Sequence, residues 1–133
     1  MSGERDLEKL LSGLTPVLDA ETYVFACLPA GTDTARLSSL MQFTEEEGET
    51  LILTEETAKR EGLAYEFPCR RITLSVHSAL DAAGLMAAVA TALAAKNIPV
   101  NPVAGYYHDH LFVPEACASE AMQILKSLTS SPC

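Results

Sequence analysis

The sequence predicts an α+β fold made of two ferredoxin-like βαββαβ units in tandem, and three observations carry this prediction. Several short segments alternate apolar and polar residues at strand spacing, while others repeat apolar residues at helical spacing. In the second half these segments follow one another in the order β-α-β-β-α, in which a helix crosses between strands of one sheet. Because the chain has 133 residues, each unit must be minimal, and we place the units at residues 1–64 and 65–133.

The first half contains segments typical of two short helices and three strands. The helix signals are leucines at helical spacing in one segment and, in the other, acidic residues at the start with a glycine at the end. Two apolar runs around an acidic, glycine-bearing loop predict a hairpin. In chain order the segments are the helix RDLEKLLSGL, the strand TYVFACL, the hairpin strands LMQF and TLILT, and the helix EETAKREGL.

The second half begins with a strand and a long helix. RITLSVH alternates Ile72, Leu74 and Val76 with polar residues, which is typical of a strand with one buried face. Ser78 followed by Asp81 resembles a capping box, so we expect the helix to begin there and to continue to about Lys96.

A hairpin and a final helix complete the second half. IPVNPVAGY contains two prolines, which suits a strand at a sheet edge, and HLFVP is its predicted partner. The helix begins after Pro114 and buries one apolar stripe. The stripe consists of Ala118, Ala121, Met122, Leu125 and Leu128.

Composition and charge narrow the functional classes. Hydrophobic residues make up 48% and charged residues 20%, as in globular domains, and the net charge of −9 argues against a nucleic-acid partner. No apolar run has the length of a membrane helix, and the charged N-terminus does not resemble a secretion signal. The four cysteines have no CxxC spacing and are expected to be reduced, with Cys27, Cys69 and Cys117 as small core residues. We therefore expect a cytoplasmic protein without a membrane partner.

The segment AGYYHDHLFVP places His108 and His110 on either side of an aspartate and allows three interpretations. The histidines could hold a metal, but a stable site needs three or four ligands. They could serve a general-base site, but the chain has no GxSxG, HExxH or P-loop pattern. We favour a polar turn between two strands, with Gly105 and Asp109 serving the turn geometry. In a functional version of this reading, His108 or His110 faces a ligand pocket.

The segment ITLSVHSALDAAGLMAAVATALAAKNIPVN resembles the ACT domain, a small regulatory module of amino-acid metabolism. Over its full length, with FPCRRITLSVHS and AGYYHDHLFVP, the chain is similar to a group of small bacterial ACT-domain proteins. The resemblance implies a non-catalytic module that binds a small molecule, an amino acid, between two units. We expect a homodimer, and neither a cofactor nor a metal. It assigns the ligand site to His77, Ser78, Ala79, Leu80, Asp81, Gly84 and Asn101. Many ACT domains have Pro-Gly at this loop, whereas this chain has DAAG.

Elementary chemistry supports the same loop without the resemblance. Amides at a helix N-terminus lack intrahelical partners and favour anions, so the turn at residues 78–84 could receive a carboxylate. Gly84 in a helical pattern costs about 1 kcal/mol relative to alanine, which indicates a close backbone approach; a glycine merely tolerated against a strand is the alternative. Asn101 could hold a ligand amine or carboxylate, or could simply lie at a strand edge. Arg70 and Arg71 could bind a carboxylate, or could be a solvated pair on a strand.

Two other functions remain open from the sequence. One is a metal-dependent or small hydrolytic enzyme that uses residues 108–110. The other is a module that only dimerises. We expect the ligand-binding regulatory module and no enzyme.

Overall fold

The structure, a computed structural model, describes residues 3–129 and contains two compact units. Unit 1 is drawn from Met1–Ala20 and Arg70–Cys133, and unit 2 is Glu21–Cys69. Residues 3–20 therefore belong with the second half of the chain. The boundary predicted between residues 64 and 65 divides the chain into two consecutive domains, and it stays a prediction.

Six strands pair in the order β2-β3-β1-β4-β6-β5. Antiparallel registers join β1 to β3, β2 to β3, and β5 to β6. The elements in chain order are α1 Leu7–Gly13, β1 Pro16–Leu28, β2 Ser39–Thr44, β3 Glu49–Thr54, α2 Glu55–Arg60, β4 Glu66–Leu74, α3 Leu85–Ala94, β5 Asn101–Ala104, β6 Asp109–Pro114 and α4 Ala118–Thr129, with a 3-10 turn at Glu115–Cys117 before α4.

Unit 1 has the split βαβ arrangement that the second half predicts. Helix α3 connects β4 to β5, and β6 lies between these two strands in the sheet order. A βαββαβ unit ends with a strand, which the β-α-β-β-α segment of the second half lacks. Residues 16–20, the first part of β1, supply that strand and lie next to β4 in the sheet. The α+β, ferredoxin-like prediction is confirmed.

The core of unit 1 lies between the sheet and helices α1, α3 and α4. Ile72 and Leu74 are two residues apart on β4 and share a face, whereas Leu85, Val89 and Leu93 recur every four residues on α3. Burial of these apolar faces is the main favourable term for folding. The buried cluster is Leu10, Leu14, Ile72, Leu74, Leu85, Val89, Leu93, Ile98, Leu111, Val113, Ala118, Ala121 and Leu125.

Unit 2 is a smaller version of the same arrangement. It contains residues 21–28 of β1, the hairpin of β2 and β3, helix α2 and residues 66–69 of β4. An irregular connection at residues 29–38 joins β1 to β2, where unit 1 has a loop and helix α3. Its buried cluster is Val24, Ala26, Leu37, Leu51, Leu53 and Ala58.

Most predicted elements are present, with two differences in the first half. Strand β1 starts at Pro16, earlier than the segment TYVFACL indicated. Cys69 is buried and Cys117 half-buried, but Cys27 is exposed, because it alternates with the buried Ala26 on β1. Cys133 lies outside the described residues. Within residues 3–129, no helix is long and apolar enough to cross a membrane.

A buried carboxylate organises unit 2. Glu49 is 5% exposed, and it accepts hydrogen bonds from Thr44 Oγ1 at 2.7 Å and Gln42 Nε2 at 3.0 Å. These bonds, the one from Thr44 first, lower the pKa of Glu49, and a backbone bond from Gly31 adds to the effect. Thr34, itself buried, donates to Gln42 Oε1 at 2.6 Å. The network therefore joins residues 29–38, the irregular segment between β1 and β2, to the β2–β3 hairpin.

We expect Glu49→Gln to lower the melting temperature by a few degrees at pH 7. A carboxylate whose pKa is lower in the folded state adds stability above its unfolded pKa, and this stability is lost as the pH falls through the folded value. The difference between wild type and variant should therefore shrink below the ordinary carboxyl value of 4.5. Thermal unfolding from pH 7 to pH 3 measures this difference. Glu47→Gln, in the exposed hairpin loop, is the matched control, and an equal, pH-independent effect of both substitutions would contradict the role of Glu49.

Candidate functional site

The predicted ligand loop lies between β4 and α3 and is longer than the sequence indicated. Helix α3 begins at Leu85, with Gly84 as its N-cap, so the prediction of a helix starting at Ser78 is wrong. The capping box fails because its two side chains have other partners: Ser78 Oγ donates to Asp109 Oδ2 at 3.4 Å, and Asp81 is bound by Arg5. Residues 75–84 thus form an irregular connection.

Gly84 is needed where the loop turns into α3. Its φ is +106°, in the region that favours glycine, and a Cβ there would lie 3.4 Å from Leu7 Cδ2. The predicted close backbone approach at Gly84 is wrong, because the nearest atoms are those of the Leu7 side chain of α1, at ordinary van der Waals distance; glycine is required here by its positive φ. No side chain in the described part of the chain caps this helix, whose first bond runs from Ala88 N to Gly84 O. The amides of its first turn thus have no intrahelical acceptor.

The N-terminal segment, residues 3–5, pairs with the loop through the backbone. Glu4 N donates to His77 O at 2.8 Å, and Ala79 N donates to Glu4 O at 2.9 Å, which makes a parallel bridge. Gly3 lies so close that a Cβ would stand 2.6 Å from Ala79 N and 2.7 Å from Ser78 C. Two backbone groups of the predicted ligand loop are therefore already engaged.

An ion pair joins the same two segments. Arg5 donates through Nε to Asp81 Oδ1 at 2.9 Å and through Nη2 to Oδ2 at 3.2 Å. These side-chain hydrogen bonds hold the pKa of Asp81 below its usual range. Both side chains are about half exposed, at 51% and 53%, so solvent screens the pair. Asp81 is thus an accessible carboxylate with one cationic partner.

The hairpin of β5 and β6 meets the loop at its tip. The turn at residues 105–108 is closed by Gly105 N donating to His108 O at 2.9 Å, so the favoured turn is present over these residues. The prediction that Asp109 serves the turn geometry is wrong, because Asp109 is the first residue of β6 and accepts from Ser78. The ring centroids of His77 and Tyr107 are 5.3 Å apart. Together with the bond from Ser78 to Asp109, this contact forms the loop–hairpin corner: His77, Ser78, Tyr107 and Asp109.

The loop–hairpin corner has polar and aromatic groups available for binding. The Nε2 atom of His77 is buried and has no hydrogen-bond partner among the described residues. Tyr106 and Tyr107 are about 60% exposed, and their ring centroids are 4.9 Å apart. Leu80 is also exposed, whereas Ala79 is buried. Exposed aromatic side chains beside unpaired polar groups are typical of recognition surfaces.

Asn101 lies away from this corner within unit 1. It is exposed at the start of β5, opposite Phe112, whereas Ala104, at the other end of the strand, is opposite Asp109. Three residues of strand separate the two ends by about 10 Å. The loop and Asn101, which the resemblance assigns to one ligand site, are therefore not brought together in unit 1.

The additional candidates have local partners. Arg70 donates through Nε and Nη2 to the backbone oxygen of Asp19, at 3.1 and 2.7 Å. His110 Nδ1 is 3.0 Å from Thr73 Oγ1, and burial first, then the charge of Arg71, lowers the pKa of His110. The rings of His108 and His110 are 6.5 Å apart. Residues 3–129 contain no group of three or more His, Cys, Asp or Glu placed to hold a metal.

The sequence interpretation missed Arg5 and Tyr107. Arg5 pairs with a residue 76 positions away, and an isolated charge near a chain end carries no pattern that indicates such a partner. A better signal was available for Tyr107, because two adjacent tyrosines in a tight hairpin turn must leave at least one ring exposed.

Comparison with known proteins identifies the family. Two family models described as ACT domain match residues 2–70 and 66–127. The chain is 43% identical to a protein of unknown function from Vibrio cholerae, described as a possible transport protein, with a TM-score of 0.84 over 96% of this chain and 99% of that one. None of the curated proteins matches the chain.

More distant structures share the fold. A protein from Agobacterium tumefaciens is 14% identical, with a TM-score of 0.75 over 87% of this chain and 89% of that one. The regulatory subunit of aspartate kinase from Thermus flavus is 9% identical, with a TM-score of 0.60 over 86% and 97%. ACT domains are regulatory, non-catalytic modules that typically bind small molecules. This chain belongs to the ACT-domain family and carries two ACT domains in tandem.

Proposed function

We propose that this protein is a non-catalytic regulatory module that senses a free amino acid, and that residues 77–84 receive it. The observation that carries the proposal is the uncapped start of α3 at Gly84, next to the loop–hairpin corner. In the ACT family, ligands bind at such a loop between two units. The module acts on a separate protein and needs no metal or cofactor.

The loop has groups that match both ends of an amino acid. The first-turn amides of α3 and the positive end of the helix dipole favour a carboxylate. The carboxylates of Asp81 and Asp109 favour an ammonium group, and Asp81 is accessible. Tyr107 and Leu80, both exposed, offer apolar surface to a side chain. A zwitterion needs opposite charges a few ångströms apart, and this loop has that polarity.

A homodimer would bring Asn101 close to the ligand loop of a second copy. Strand β5 is the last strand in the sheet order, and two β5 strands in antiparallel approach would bring Asn101 of one copy opposite the Ala104 end of the other. Because Pro102 lacks an N–H, such a contact would rely on side chains more than on backbone bonds. We therefore propose that the second copy supplies Asn101 to the ligand.

A thermal-shift screen over the twenty free amino acids at millimolar concentration tests the proposed function. A ligand present at a hundred times its Kd stabilises the folded state by about 2.7 kcal/mol, which gives a clear rise in melting temperature. We expect one amino acid, or a small related group, to give this rise. No rise with any of them would contradict the proposal, and a dimer that persists without any ligand effect would favour a module that only dimerises.

We expect Asn101→Ala to weaken binding of that amino acid about tenfold, the loss of one hydrogen bond to a charged group. The dissociation constant is measured by titration calorimetry, and the mass of the assembly by light scattering. Gln123→Ala removes an exposed amide from α4 and is the matched control. Equal affinity of both variants and wild type would exclude Asn101 from the site.

A further inference from the structure

The N-terminal segment, residues 3–5, covers part of the proposed ligand loop. Residues 3–5 occupy the His77 carbonyl and the Ala79 amide, and Arg5 neutralises Asp81. Both carboxylate oxygens of Asp81 accept from Arg5, and the positive charge of Arg5 opposes the approach of a ligand ammonium group to the same carboxylate. The loop described by the structure is therefore in a covered form.

The contacts of this segment are weak enough to exchange. They consist of two backbone hydrogen bonds and one ion pair that is half exposed to solvent. An exposed pair of this kind contributes little to stability because water competes for both partners. Segments held by few solvent-exposed bonds open locally, without unfolding of the core.

Hydrogen bonds within the segment make it stiff, so that it can move as one piece. The Glu4 carboxylate accepts from Arg5 N at 2.9 Å and from Asp6 N at 3.2 Å. Asp6 in turn caps α1, accepting from Glu8 N and Lys9 N. Residues 3–6 are thus tied to the start of α1, and the Leu7 side chain of that helix lies 3.4 Å from the position that a Cβ on Gly84 would take. Movement of the segment would alter both ends of the ligand loop.

We propose that residues 3–5 form a displaceable strap, which covers the loop at residues 77–81 and must leave before an amino acid can bind there. The strap rests on the proposed function, because it regulates the same site. When the strap is closed, the Ala79 amide and the Asp81 carboxylate bind the strap. When the strap is open, both groups can bind the ligand. Strap and ligand exclude each other, and the apparent affinity is reduced by the fraction of molecules in which the strap is closed.

Two substitutions weaken the strap by different physical means. Arg5→Ala removes the ion pair to Asp81 and leaves the backbone bonds in place. Gly3→Val acts sterically, since its Cβ would meet Ser78 and Ala79 backbone atoms at under 3 Å. Arg36→Ala removes another exposed ion pair, to Glu61, and is the control for charge. Gly31→Val is the control for backbone strain, because Gly31 has φ +82° but no atom within 4 Å of an added Cβ.

Amide hydrogen exchange, measured by NMR on the full chain, tests whether the strap opens locally. We expect the Ala79 amide to exchange up to about fivefold faster in Arg5→Ala, the range for an exposed ion pair, and faster still in Gly3→Val. The Leu93 amide, in the core helix, should be unchanged, and both controls should match wild type at Ala79. Unchanged exchange of Ala79 in both strap variants, or exchange that follows Leu93, overturns the proposal.

Affinity for the amino acid found in the thermal-shift screen tests the competition. We expect Arg5→Ala to bind it up to about fivefold more tightly than wild type, and Gly3→Val more tightly again. Equal or weaker binding by the strap variants contradicts the strap but leaves the proposed function intact. If no amino acid binds any of these proteins, the proposed function fails and the competition fails with it, whatever the exchange rates are.

Discussion

The packing of α3 against β4 is the constraint on which the site depends. Leu85, Val89 and Leu93 pack in one core with Ile72 and Leu74, so the two ends of the intervening connection are fixed. Cores of this kind are close-packed and resist displacement. Within this connection Val76 and Ala82 are partly buried against the core, whereas Leu80 is exposed to solvent.

Polar groups of residues 75–84 form hydrogen bonds with other parts of the chain. The backbone of this connection pairs with Glu4, its Ser78 hydroxyl with Asp109 and its Asp81 carboxylate with Arg5. Buried or half-buried polar groups need partners, and here they come from two separate parts of the chain, the N-terminal segment and the β5–β6 hairpin. Partners that are solvent-exposed and few in number can be exchanged for those of a small zwitterion at little cost. This exchange is the physical basis of the proposed ligand binding at the loop.

Sequence patterns predicted the elements whose signals are local. The β2–β3 and β5–β6 hairpins follow from alternating residues around turn residues, and α4 follows from its apolar stripe. The predicted start of α3 was wrong because the side chains of Ser78 and Asp81, which together form a valid capping signal, bind Asp109 and Arg5 in the folded chain. A local pattern cannot register such competition, since the competing groups are defined only after folding.

The sequence by itself determined the fold class and the family, because apolar periodicity and the motif over residues 72–101 carry them. It also predicted that a ligand binds at the loop of residues 77–84, and this stays a proposal. The tertiary structure alone decided which groups meet at that loop. It placed Gly3 and Arg5 against residues 77–81, set Asn101 at the far end of β5, and gave the first part of β1 to unit 1. These are contacts between residues far apart in the chain, whose energies depend on distance and burial, and neither quantity can be obtained from residue order alone.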